Sequence, residues 1–400
     1  MEGKKKTVRQ KDFGKTVIRR LIELVVLIVL FVVLDLLKNS QKVCEFFART
    51  FSRAWIFIFG NALGWIPFSL YELFLIVVIV GAIVFVVLEI VFLSKHKWQS
   101  LISATLIVAL SVFAFLNIYT ATASYSYGRD SLPEEVYSEY SGDDLTFEEA
   151  VVLAETVISQ ANAAFHSTAH DNDGNIVYPY TFREISNMLA VEYKRLESSY
   201  FSPYTPKGKK IINKTLMSEM HITGVFFAPF GEANVNGYEV KNFYLPHTLA
   251  HEMAHGKGVM REYEANLVAS YICLTSENPY LRYGALVQCL YSAIGIVGLY
   301  PNSGSEFSRL YDMIDEGIIT ERINYNRFYN QFDTFDRLGE WFNDLYLKLN
   351  KQEEGTGSYV KPGENVGTGD YDDDGEEIVQ IINFSDTQNL LIKLFKENRL

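Results

Sequence analysis

The chain is 400 residues long, with 36 Lys and Arg against 48 Asp and Glu and a formal net charge of −12. The charge is unevenly divided: residues 1–122 carry 14 basic and 7 acidic side chains, and residues 123–400 carry 22 and 41. So acidic a second part repels a polyanion, which excludes nucleic acid as its partner. Three cysteines, an odd number, exclude a disulfide framework.

Three long apolar runs lie in the basic part: Leu21–Leu37, Leu70–Leu93 and Leu101–Ile118. Each approaches the roughly 20 residues that a helix needs to cross a bilayer. Glu23, Asp35, Glu72 and Glu89 fall near their ends, where a charge can reach the interface. No small-residue cleavage site follows the first run, which continues as Lys38-Asn39-Ser40-Gln41 and reads as a signal anchor. Eight Lys and Arg, from Lys4 to Arg20, precede it and place the N-terminus in the cytoplasm. Three crossings then leave residues 123–400 outside and the Lys95-His96-Lys97 loop inside. The four basic residues from Lys38 to Arg53 fall outside, against the same rule. Residues 43–68 crowd Phe46, Phe47, Phe51, Trp55, Phe57, Phe59 and Trp65 together and read as a segment lying in the membrane lipid interface. Residues 1–122 are thus expected to form a transmembrane anchor, 123–145 a tether with Ser-Tyr repeats, and 146–400 one globular domain with its own core.

In that domain Thr146-Phe147-Glu148-Glu149 and Thr181-Phe182-Arg183-Glu184 have the capping-box form and open helical patterns over 146–166 and 181–198. Between them, Asp171-Asn172-Asp173-Gly174-Asn175 reads as a turn, because its Gly comes too early for a calcium loop and no Glu follows at the right distance. Ile222–Phe230 is β-prone, and Gly231–Gly237 follows as a turn and a short strand.

The segment His251-Glu252-Met253-Ala254-His255 carries the chemistry. Positions four apart share a helix face, so His251 and His255 can present two imidazole nitrogens to one Zn²⁺, with Glu252 beside the site as a general base. Two histidines bonded to neighbours on a buried helix face would explain the same spacing. His247 lies one turn earlier, just after Pro246, and reads as an entrance residue rather than a ligand. Gly256-Lys257-Gly258 can end the helix and turn the chain back. The next helical pattern, Arg261–Tyr271, brings Glu262 and Asn266 to one face. This repeats the Glu-x-x-x-Asp arrangement of gluzincin-type zinc hydrolases, in which the Glu binds metal and the second residue orients a ligand histidine. Asn266 stands here for the usual Asp. Glu264 points about 160° away on a regular helix and is the competing third ligand. Tyr283, Arg282 and His221 are candidate donors to a developing oxyanion.

Gly284–Tyr300 is apolar, short for a span, carries Gln288 and reads as a buried core helix. Residues 305–350 are amphipathic and helical; Lys351–Glu376, rich in Gly, Asp and Glu, reads as a loop before the apolar end Ile378–Phe395.

Three N-terminal runs, Gly64-Trp65-Ile66-Pro67-Phe68-Ser69, Gly231-Glu232-Ala233-Asn234-Val235-Asn236, the His-Glu-x-x-His helix, Glu262-x-Glu264-Ala265-Asn266 and Asn278-Pro279-Tyr280-x-Arg282-Tyr283 occur in this order. The set resembles the bacterial membrane family catalogued as domain of unknown function 3810, from about residue 20 to 350. The resemblance implies a membrane-anchored zincin and no substrate. The expected fold is an α-helical anchor of three transmembrane helices plus a mainly α, α+β zincin-like outer domain, with a short edge hairpin before the His251 helix. The expected function is hydrolysis of a peptide or protein substrate at Zn²⁺ held by His251, His255 and Glu262, with Glu252 as base. The competing class is a non-catalytic membrane sensor or assembly protein whose zinc site is structural or vestigial.

Overall fold

The computed structural model describes residues 2–237, 242–332, 334–350, 352 and 382–400. The acidic stretch Lys351–Glu376 and the start of the apolar end lie outside the described residues, apart from Gln352. The chain divides into two units. Unit 1 is Met1–Asp130 with Phe227–Gly231, and unit 2 is Ser131–Phe226 with Glu232–Leu400.

Unit 1 is helical: α1 (Glu2–Leu37), α2 (Gln41–Phe47), a π-helical turn (Ala48–Ser52), α3 (Arg53–Leu63), α4 (Leu70–Ser94) and α5 (Trp98–Thr122). The Ser69 hydroxyl caps α4 by accepting from Glu72 N at 3.0 Å. No side chain of α4 is buried, although the helix is apolar all round. Such a surface needs lipid around it rather than water. α1 runs along α5, joined by Asn117 Nδ2 donating to Leu27 O (3.0 Å) and by the Phe31–Phe113 ring contact (6.1 Å). The turn Phe227–Gly231 is seated by aromatic rings, with Phe227 lying 5.2 Å from both Tyr71 and Phe74 and Trp55 Nε1 donating to Pro229 O at 3.0 Å.

Among the described residues three helices are long and apolar enough to cross a membrane: Leu70–Ser94, Trp98–Gly128 and Pro279–Gly298. The first two contain the second and third apolar runs. The run Leu21–Leu37 lies in α1 and is not among the three: it is 17 residues long, and the 18-residue stretch of α1 that contains it adds Arg20 to the charges of Glu23 and Asp35. The third helix is 67% buried along its most apolar window.

Residues 123–145 are not a free tether. Ser124–Gly128 forms a 3-10 turn that buries Tyr125 and Tyr127 in unit 1, with Tyr125 OH donating to Leu34 O at 2.9 Å. From Ser131 the chain belongs to unit 2, where Leu132 and Val136 are buried and Tyr137 OH donates to Asp386. The large side chains spaced through the stretch gain more from burial than a flexible linker gains from entropy.

Unit 2 opens with α6 (Phe147–Ser167) and α7 (Phe182–Glu192), and both capping boxes form, from Thr146 with Glu149 and from Thr181 with Glu184. α7 stops at Glu192 and tightens into a 3-10 turn, six residues short of the expected end. The hairpin β1 (Ala169–His170) and β2 (Ile176–Val177) closes over the Asp171 turn. Next come β3 (Gly208–Ile211), α8 (Lys214–Glu219), β4 (Gly224–Phe227) and β5 (Glu232–Asn236), then α9 (Leu245–Gly256), α10 (Glu262–Leu274) and α11 (Pro279–Gly298). α12 (Gly304–Asp312), α13 (Glu316–Tyr329), α14 (Asp336–Leu349) and α15 (Asp386–Lys396) complete the unit. α11 packs along α6 and is covered by α15, so it serves as a core helix.

The strands before α9 do not form an isolated edge hairpin. They belong to a three-stranded sheet of order β3-β5-β4, with β3 parallel to β5 in the register Gly208↔Ala233 to Ile211↔Asn236. Among the described residues β4 is thus an edge strand and β5 the centre, buried along its whole length with α9 packed on it. β3 carries Lys209 and Lys210 and lacks the alternating pattern of an exposed strand; a buried ion pair from Lys209 to Glu232 across the β3–β5 pairing accounts for one of them.

α9 ends in a Schellman turn. Gly258 has φ 96°, its N–H bonds His255 O at 3.0 Å, and Val259 N bonds Ala254 O at 3.2 Å. The turn throws the chain back so that α10 starts at Glu262. Gly258→Ala forces a Cβ into left-handed backbone, which costs about 1–2 kcal/mol. The expected result is a melting temperature lower by about 2–8 °C for the full chain in detergent, measured by circular dichroism. Gly304→Ala, with nothing within 4 Å of its added Cβ, should leave the melting temperature unchanged.

Candidate metal centre

On α9, His251 and His255 project from one face toward the first turn of α10, and with Glu262 they are each 9% exposed or less. Their donor atoms lie within 4.8 Å of one another. His251 Nε2 is 3.0 Å from Glu262 Oε2 and 3.2 Å from His255 Nε2, and His255 Nε2 is 3.6 Å from the same Glu262 oxygen.

The outer nitrogens decide what the inner ones can do. His251 Nδ1 is 2.8 Å from Asn266 Oδ1, and His255 Nδ1 is 2.7 Å from Val259 O. Both partners only accept, so each Nδ1 carries the proton and donates. Each Nε2 of a neutral ring is then a bare lone pair, and the two point toward each other and a carboxylate. Three electron-pair donors this close repel unless a cation or proton lies among them. Without a metal the protonation pattern reflects that demand. Glu262 has its carboxyl raised by burial but more strongly lowered by His255 and His251, to about 2. Burial depresses His255, yet Glu262 outweighs it and lifts the imidazole to about 9. The set of two imidazoles and one carboxylate fits Zn²⁺, which takes N and O donors in tetrahedral sites.

Glu252 faces a different neighbour. It is buried, and its Oε2 has no hydrogen-bond partner among the described residues. Burial raises its carboxyl to about 7, opposed by His251 and His255. A Cβ on Gly224, at the start of the edge strand β4, would collide with this carboxylate, so the strand backbone passes directly over Glu252. The ring of Phe226, two residues along the strand, lies 6.1 Å from the His255 ring.

Other candidate residues are placed elsewhere. Glu264 is turned to Arg261 Nη2 at 2.7 Å, away from the histidines. His247 is no entrance residue: it is buried, with Nε2 3.0 Å from Ser270 Oγ, and burial pushes its imidazole down to about 3. It pins α9 to α10. Tyr283 OH donates to Glu321 Oε2 at 2.6 Å, and Arg282 Nη2 to Gln160 Oε1 at 2.5 Å. His221 contacts the Phe332 carbonyl. The structure brings none of these three to the His251–His255–Glu262 cluster. The sequence reading includes neither Gly224 nor the Val259 carbonyl. A glycine at the head of a β-prone segment was the only signal for the first, and a carbonyl leaves no trace in a sequence.

No curated protein and no solved structure matches the chain at a significant level. The model of the family described as "Protein of unknown function (DUF3810)" matches residues 47–362, a stretch that holds α4 and α5, the sheet and every residue of the cluster. The chain belongs to that family.

Proposed function

We propose that the chain is a membrane-anchored zinc metallopeptidase. The observation that carries this reading is the convergence of His251 Nε2, His255 Nε2 and a Glu262 oxygen within 4.8 Å, with both Nδ1 atoms already engaged. Held by these three residues, Zn²⁺ supplies Lewis acidity toward a water and a scissile carbonyl. Glu252 is the proton carrier. Its Oε2, unpartnered among the described residues, takes a proton from the attacking water and delivers it to the departing amine. The edge strand β4 offers backbone groups to an extended peptide beside Glu252.

A structural zinc site fills its fourth position with a protein ligand. The two further ligands that the sequence offers, Glu264 and His247, are engaged by Arg261 and Ser270. That favours catalysis over a structural role.

In this reading α1, α4 and α5 cross the membrane, with the N-terminus in the cytoplasm and unit 2 outside. The support is the basic N-terminal segment and the exposed apolar surface of all three helices.

Glu252→Gln should keep the metal and the fold and lower peptide cleavage by about 100-fold or more, since it removes the base and no ligand. A broad peptide-cleavage screen of the purified full chain reads this, and wild-type rates in the variant would remove the mechanism. The orientation is read by Ser141→Cys, an exposed position in a chain whose own cysteines are buried. A membrane-impermeant maleimide should label it on intact cells; protection until lysis would reverse the orientation.

A further inference from the structure

α14 (Asp336–Leu349) turns an apolar face outward. At about 100° per residue, Phe335, just before the helix, and Leu338, Trp341, Leu345 and Leu349 fall within an arc of about 120°. All five are between 40% and 67% exposed. The inner side of the helix is fixed: Leu347 is fully buried, and a Cβ on Gly339 would run into the Met220 carbonyl. Phe335 N donates to Glu219 O at 3.1 Å and Thr334 N to Glu219 Oε2 at 2.9 Å, which ties the start of α14 to the end of α8. The stripe is therefore held facing outward, and large apolar side chains gathered this way mark a binding surface.

The charges around α14 are ordered. Going round from the Trp341 edge of the stripe, Lys348 and Arg337 come first and Asp344 and Glu340 after them. Basic side chains beside an apolar face lay their methylenes on hydrocarbon while their charged ends reach headgroup phosphates, and acidic ones further round stay in water. A second copy laid antiparallel on the same face would set two basic borders against each other. The chain also keeps α14 close to the membrane helices. Met220, on which Gly339 rests, lies seven residues before Phe227, so the covalent chain allows no more than about 25 Å between them. Phe227 is seated by Tyr71 and Phe74 in the first two turns of α4, whose all-round apolar surface needs lipid.

We propose that α14 lies along the lipid–water interface with Leu338, Leu345 and Leu349 among the acyl chains, a second attachment of unit 2 to the bilayer surface. With Asp336, Glu340 and Asp344 against Arg337 and Lys348, the helix is close to neutral. The attachment therefore comes from apolar area and not from anionic headgroups. The inference rests on the membrane placement of α4 and α5 and is independent of the zinc reading.

The test uses the full chain, one copy per phosphatidylcholine nanodisc, with an environment-sensitive fluorophore on Leu345→Cys, Leu349→Cys or Glu340→Cys; the chain's own cysteines are buried. All three positions are exposed, and the two on the apolar face report independently of each other. Lipid carrying a nitroxide at the headgroup end of an acyl chain should remove most of the emission from labels at 345 and 349 and little from the label at 340. A nitroxide at the tail end should quench them less, because an interfacial helix sinks only into the headgroup boundary. Adding phosphatidylglycerol to the disc should leave this pattern unchanged. Equal quenching at 345, 349 and 340 overturns the proposal. Labels at 345 and 349 shielded from iodide yet untouched by either lipid nitroxide would assign the face to another part of the chain and also overturn it. The same shielding arising only in discs that hold two copies would assign the face to a second copy, with the same consequence.

Discussion

The site depends on two hydrogen bonds that face away from it. His251 Nδ1 to Asn266 and His255 Nδ1 to the Val259 carbonyl hold both imidazoles with their Nε2 lone pairs inward. Remove either and a ring can turn or exchange tautomers, and the convergence with Glu262 is lost. The Val259 carbonyl is in place because Gly258 accepts a left-handed conformation. Asn266 is in place because α10 begins at Glu262, one turn before it. One reversal of the chain therefore sets both the third donor and both outer clamps. Asn266 is neutral, so it orients His251 without adding the negative charge of an aspartate to a pocket that already holds Glu252 and Glu262.

The same helix pair is locked from behind. His247, one turn before His251, bonds Ser270 and stays neutral because it is buried. α9 rests on the central strand β5, whose neighbour β4 carries Gly224 past the Glu252 carboxylate. Among the described residues nothing bonds Glu252 Oε2, and an unmet buried carboxylate oxygen costs about 1–3 kcal/mol. A fold that keeps such a group has spent stability on a carboxylate able to exchange protons, as functional sites often do.

Much of this was legible in the sequence, but unevenly. The spacing of His251 and His255 and the Thr146 and Thr181 capping boxes are local patterns, and they appear as expected. The choice between Glu262 and Glu264 was not local: it turns on the residue at which α10 begins, which the Schellman turn and the Arg261–Glu264 pair determine. β3 carries no strand signature, because its lysines conceal a strand whose burial comes from parallel pairing with β5. Residues 123–145 looked like a linker by composition, although Tyr125, Leu132 and Val136 are buried. Tyr283 and Arg282 were attractive by chemistry, yet Glu321 and Gln160, both distant in sequence, engage them.

The central claim is that His251, His255 and Glu262 together hold one Zn²⁺. Competition against a chelator of known affinity measures it on the purified full chain. The account predicts one equivalent of tightly bound zinc in the wild type and none in the His251→Ala/His255→Ala double variant. It further predicts a loss of several kcal/mol in Glu262→Ala, as expected for a charged ligand, against at most about 10–100-fold in Glu264→Ala. Stoichiometric zinc in the double variant, or greater damage from Glu264→Ala than from Glu262→Ala, would contradict it.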